Sequence, residues 1–138
     1  SKSLDELQGS EFVLYDTVIK NGVDCIMVSH ASAKGITGDD TPSSMSSVVI
    51  QDVLRNTLGF RGVVMTAALN DSAVTGAYSP AEAAVAAVQA GADLLLLPED
   101  YKEAYEGVLQ AVTDGTITKE RIRESMYRIY RVKYKNTL

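Results

Sequence analysis

The chain has no tryptophan, one cysteine, one histidine, two phenylalanines and three prolines in 138 residues. One cysteine cannot close an intrachain bridge, so the fold does not rest on a disulfide scaffold. One histidine with no usable thiol beside it argues against a metal centre. No apolar run approaches the ~18–20 residues that a membrane-spanning helix needs. The opening Ser1-Lys2-Ser3-Leu4-Asp5 carries no apolar core of the signal-peptide kind. Excess positive charge is also missing: 13 Lys+Arg stand against 18 Asp+Glu, a net charge of -5. That balance argues against nucleic acid as a partner. What remains is ordinary, with 46% hydrophobic and 22% charged residues. This is enough apolar content for one buried core and too much for a disordered tail.

Three apolar runs read as strands: Val23–Val28, Gly62–Thr66 and Ala92–Leu97. None alternates apolar with polar residues, so each is expected to be buried on both faces, as in a parallel sheet covered by helices. The last run is rich in leucine and fits a short helix equally well by periodicity, but Gly91 and Pro98 bound it as a strand. Helical spacing lies between the strands. Leu4, Leu7, Leu14 and Val18 share one face of a first helix. Val49, Ile50, Val53, Leu54 and Leu58 mark a second. Ser79-Pro80-Ala81-Glu82 opens a third with N-cap serine, first-turn proline and a glutamate placed for a capping box. Tyr101–Val112 makes a fourth. Thr118 caps a fifth, with Ile122, Met126 and Ile129 as its stripe. Each strand follows a helix through a glycine turn at Gly22, Gly59 or Gly91. The unit recurs every ~30–40 residues, about one eighth of a (β/α)8 barrel.

In a parallel α/β sheet the chemistry gathers at the carboxyl ends of the strands. The first strand ends in Ser29-His30, the second in Thr66–Asp71 and the third in Pro98-Glu99-Asp100. His30 suits an acid/base, a sugar hydrogen bond or a purely structural bond to a neighbouring loop. Asn70-Asp71 reads better as a turn opening a helix, and Glu99-Asp100 as a cap for the helix at Tyr101. The stretch Ala31–Ser47 is long and rich in small residues, a length that is often functional, yet it holds no phosphate-binding glycine motif. Cys25 is expected as a small buried hydrophobe. The basic residues of the last helix, Arg121, Arg128 and Arg131 among them, are expected on a solvated face. These residues define a polar rim on a parallel α/β layer and do not define a reaction.

Four segments taken together resemble one family. They are Gly22–His30, Pro42–Ser46, Leu54–Thr66 and Glu82–Asp93, and the tail from Pro98 to Lys133 continues the likeness. In this order and spacing they resemble glycoside hydrolase family 3, in its bacterial β-N-acetylglucosaminidase branch. The resemblance implies an α/β fold: the C-terminal portion of a (β/α)8 TIM-type barrel, about three parallel strands with flanking helices. Residues 1–138 would then be a C-terminal fragment of one barrel domain. The family's lysine-histidine motif and its Asp–His acid/base loop would lie upstream, and Ser1 reads as a cut. Three strands cannot close a barrel, so the expected partner is the upstream part of the barrel as a second chain, or self-association.

The implied activity is retaining removal of terminal β-N-acetylglucosamine, from cell-wall muropeptides, with no metal or organic cofactor. The implied partner is an N-acetylglucosamine-containing glycan, with neither nucleic acid nor membrane insertion. The family pattern at the second strand resembles Thr-Asp-Ala-Leu-Asn, whereas this chain reads Thr66-Ala67-Ala68-Leu69-Asn70. Ala67 therefore stands at the position of the nucleophilic aspartate, Thr66 and Leu69 flank it, and His30 falls on the rim of the sugar pocket. A methyl group cannot attack an anomeric carbon, so no meaningful turnover is expected. An introduced inactivating change and a natural carbohydrate-binding pseudo-enzyme both give this pattern. β-Glucosidase-type members usually have tryptophan after the nucleophile, and Ala68 here favours the other branch. The rival outside the family is a free-standing α/β interaction domain of flavodoxin-like strand order.

Overall fold

The computed structural model describes Gly9 and residues 11–135. Its elements run in the order α1 (Glu11–Lys20), β1 (Cys25–Val28), α2 (Lys34–Thr37), a 3-10 turn (Ser43–Met45), α3 (Val48–Thr57), β2 (Val63–Ala68), α4 (Ser72–Thr75), α5 (Pro80–Ala90), β3 (Leu94–Leu96), α6 (Tyr101–Thr113) and α7 (Lys119–Lys133). Helix α3 is wound with π-type turns, its end closed by Leu58 N–H on the Val53 carbonyl at 2.9 Å. The three strands are parallel and lie in chain order β1-β2-β3. A flavodoxin-like sheet would put its first strand between the other two, so that strand order is excluded. Sequential parallel strands with helices on one side are a sector of a TIM-type barrel.

The helix-side core is built from Ile50, Leu54, Phe60, Val64 and Ala87 against the sheet. The apolar stripe expected on α3 is in place: Ile50, Val53 and Leu54 are buried, Val49 and Leu58 half-buried. Serine 79 and Glu82 form the capping box, with Ser79 N–H on the Glu82 carboxylate at 2.8 Å and Glu82 N–H on Ser79 Oγ at 3.2 Å. Gly91 closes α5 at φ 117, and a Cβ there would collide with Gln51 and Ile50. Gly107 lets α6 lie against α5, since a Cβ would meet the Ala81 Cβ at 2.7 Å.

Burial departs from expectation on the other side of the sheet. By the two-residue period, Val28, Val64 and Thr66 face the helices, while Cys25, Met27, Met65 and Ala67 face away. Val28, Val64 and Thr66 are buried, but Met27 is 59% exposed and Leu94 40% exposed. Cys25 is likewise exposed, which corrects its reading as a buried hydrophobe. Among the described residues this second face is covered only in part: Val63 at its foot is 3% exposed, but three strands do not curl far enough to cover the rest of their own concave side. Helix α1 is corrected too: Leu14 and Val18 are exposed, and Phe12 and Ile19 turn inward instead. Leu4 and Leu7 lie outside the described residues. On α7 the inward stripe is centred on Ser125, with Ile122 and Ile129 half-buried and Met126 exposed. Among the described residues, no helix is long and apolar enough to cross a membrane.

Candidate functional site

The carboxyl ends of β1, β2 and β3 converge on the segment Thr66–Asp71. Ala67 lies next to the end of β2, half-buried, on the uncovered face of the sheet. Its neighbours are fixed from the β3 side. Leu69 N–H donates to the Leu96 carbonyl at 2.8 Å, and Asn70 N–H donates to the Leu97 carbonyl at 3.0 Å. Leu96 N–H in turn donates to Thr66 Oγ1 at 3.1 Å. Leu97 takes φ 45, the one non-glycine residue with positive φ among the described residues. A left-handed leucine costs roughly 1–2 kcal/mol, and the conformation leaves its side chain 60% exposed while its carbonyl receives Asn70.

Thr66 and Leu69 flank Ala67 in the chain, but neither side chain reaches solvent. Thr66 is fully buried and Leu69 is 2% exposed within the core. Their visible part is to hold the strand end. Asp71 is turned away from the site: its Oδ1 accepts Ala73 N–H at 2.8 Å as the N-cap of α4. Asp100 likewise caps α6, accepting the N–H groups of Lys102 and Glu103. Both follow the turn and cap readings of the sequence.

From the β1 side the segment is held by His30. Its Nε2 lies 2.9 Å from the Ala68 carbonyl oxygen and its Nδ1 2.7 Å from Ser44 Oγ. A carbonyl only accepts, so Nε2 carries a proton and donates; in that tautomer Nδ1 is the acceptor for the Ser44 hydroxyl. Both ring nitrogens are engaged with protein, one of them in the neighbouring loop. Ser44 itself is fully buried. The long stretch after β1 thus folds back on its own strand: Ser44 N–H donates to the Ser29 carbonyl at 3.0 Å, and Ser43 Oγ to the Ala31 carbonyl at 2.6 Å. Ser44 went unremarked in the sequence; its one signal was its place in the Pro42–Ser46 segment.

A second polar constellation, also missed, lies at the opposite end of the strands. Asp93 has a fully buried carboxylate. Arg55 Nη2 reaches Oδ2 at 2.7 Å, Arg128 Nη1 reaches Oδ1 at 3.0 Å, and Arg121 Nη2 lies 3.5 Å from Oδ1. The Ser125 hydroxyl donates to Oδ1 at 2.6 Å and Val64 N–H to Oδ2 at 2.9 Å. Burial pushes the Arg55 guanidinium down to about 10, with Asp93 opposing the shift. Arg121 is lowered for the same reason. Two of the basic residues expected on a solvated face therefore turn inward. They do so because a carboxylate without water needs donors from several elements.

The match to known proteins follows the same architecture. Residues 1–132 match the family described as glycosyl hydrolase family 3 N terminal domain. A β-hexosaminidase of Stenotrophomonas maltophilia (strain K279a) is 34% identical over 109 residues, covering 78% of this chain and 32% of the relative. A β-N-acetylglucosaminidase/β-glucosidase of Cellulomonas fimi is 28% identical over 140 residues, covering 95% of this chain and 25% of the relative. The solved family 3 β-N-acetylglucosaminidase of Paenibacillus sp. str. FPU-7 superposes with a TM-score of 0.93 at 35% identity, over 99% of this chain and 26% of its own. The chain thus spans about a quarter to a third of the length of these relatives.

Proposed function

This chain belongs to glycosyl hydrolase family 3, and on that premise we propose that it supplies the nucleophile end of a barrel that acts on terminal β-linked N-acetylglucosamine, cell-wall muropeptides among the substrates. The observation that carries the reading is the place of Ala67: it sits beside the carboxyl end of β2, on the uncovered face, inside a motif that otherwise fits the family. A carboxylate at that position would attack the anomeric carbon as the aglycone leaves. A general acid from the rest of the barrel would protonate the departing oxygen, and water would then release the sugar from the covalent intermediate. With alanine there, the first step has no nucleophile. Asp71 does not replace it, because its carboxylate is engaged as a helix cap one turn away.

The test is Ala67→Asp in the complete protein, assayed on an aryl N-acetyl-β-glucosaminide. Loss of a catalytic nucleophile costs on the order of 10^4–10^6 in kcat, so a gain of about that size is expected. An unchanged rate overturns the placement. A second reading rests on the same alanine: a carbohydrate-binding pseudo-enzyme, which would hold an N-acetylglucosamine-terminated glycan without cleaving it. An aryl β-glucoside assayed beside the glucosaminide separates the β-glucosidase-type alternative, against which Ala68 in place of tryptophan argues.

A further inference from the structure

We infer that His30 is the positioning residue of the nucleophile segment, acting through the Ala68 backbone and not through the sugar; this rests on the reading of Ala67 as the nucleophile position. The ladder between β1 and β2 ends at Val28 opposite Thr66. One residue further, the segment bearing Ala67 leaves regular pairing on that side. On the β3 side it keeps backbone bonds through Leu69 and Asn70. On the β1 side, the His30 Nε2–H on the Ala68 carbonyl takes the place of the next ladder bond. The ring is kept from rotating by the buried Ser44 hydroxyl on Nδ1, and Ser44 is tied by its own N–H to the Ser29 carbonyl. The chain of contacts runs from the end of β1, through the 3-10 turn and the imidazole, to the peptide beside residue 67. It sets the direction in which the side chain at 67 leaves the backbone. A displacement near 1 Å in attack geometry costs about 10²-fold in rate, so a latch of this kind acts on kcat.

Two amide variants separate the bonds. Gln at position 30 places an N–H near the site of Nε2 and keeps the bond to Ala68; Asn places its amide near Nδ1 and loses it. In the complete protein carrying Ala67→Asp, His30→Asn is expected to lower kcat about 10²-fold with KM nearly unchanged. His30→Gln should recover most of that loss. Equal losses in both variants, or a loss confined to KM, overturn the inference; the latter would place the imidazole on the sugar. An activity-independent readout uses the complete protein with Ala67 in place. Amide exchange at Leu69 and Asn70 is expected to quicken about tenfold in His30→Asn and to stay near the parent rate in His30→Gln. Equal protection in the two variants removes the latch. If Ala67→Asp brings no turnover, the function proposed above fails, while the exchange comparison still decides the role of His30.

Discussion

A carboxylate shut away from water is stable only with donors around it, and Asp93 accepts from four, Arg55 on α3 and Arg128 on α7 among them, with Arg121 of α7 as a further ion pair at 3.5 Å. The cluster joins the helix layer to the foot of β3. Removing the carboxylate would take from the almost wholly buried Arg55 its acidic partner and leave it facing Arg121 and Arg128, which keep the half-exposed Glu124. Breaking a buried pair from one side typically costs about 3–5 kcal/mol. Asp93→Asn in the complete protein is therefore expected to lower unfolding stability by about that much in urea titration, and a loss under about 1 kcal/mol would contradict the account. Arg128→Ala should cost less, because Arg128 keeps 19% exposure and water can replace part of its contact. None of this was legible in the sequence. Asp93 lies 38 residues from Arg55 and 35 from Arg128, and no periodicity connects them. Cap residues were legible because their partners are two or three positions away, as Asp100 and Asp71 show.

Helix α5 shows how far local chemistry reaches. Its start is a reciprocal box between Ser79 and Glu82, and its end is a left-handed glycine. Both are written in consecutive residues, so sequence and structure agree there to the residue. Ser79→Ala should destabilise by about 1 kcal/mol, read as faster exchange of the first-turn amides. Bonds from Ser79 hold the Glu82 carboxyl below its usual range. A depressed folded-state value means that this contribution is present above the unfolded carboxylate range and is lost as pH falls through the folded one. Glu82→Gln should therefore flatten that acid-side slope of stability; an unaltered slope would assign it to other carboxylates. At the other end, Gly91→Ala meets both a backbone that disfavours Cβ and the Gln51 side chain packed over it. It is expected to lower the melting temperature more than Ser79→Ala does. The strands were legible as elements but not as surfaces. Val23–Val28 and Ala92–Leu97 have the composition of strands buried on both faces, and among the described residues the second face is covered only in part.

The uncovered sheet face is consistent with an incomplete barrel wall. Met27 and Leu94 are apolar and exposed, Leu97 stands out beyond them, and Cys25 shares the face of Met27. The chain spans about a quarter to a third of the length of these relatives. Cys25 is a reporter for what covers that face, because it is the chain's one thiol. Desolvation, then the charges of Asp93 and Asp24, raise its pKa above the ordinary thiol value. In the 138-residue chain it should react with a disulfide reagent to one equivalent, more slowly than a free cysteine at neutral pH, with the rate still climbing above the usual thiol range. On the proposal that further strands of a family 3 barrel complete this sheet, adding them as a separate polypeptide should bury the face and slow labelling by about tenfold or more. Native mass spectrometry of the same mixture should then show a one-to-one complex. Labelling that proceeds at the same rate with and without the added polypeptide would mean that the barrel does not close over β1, and that the uncovered face is a surface of the protein in its own right.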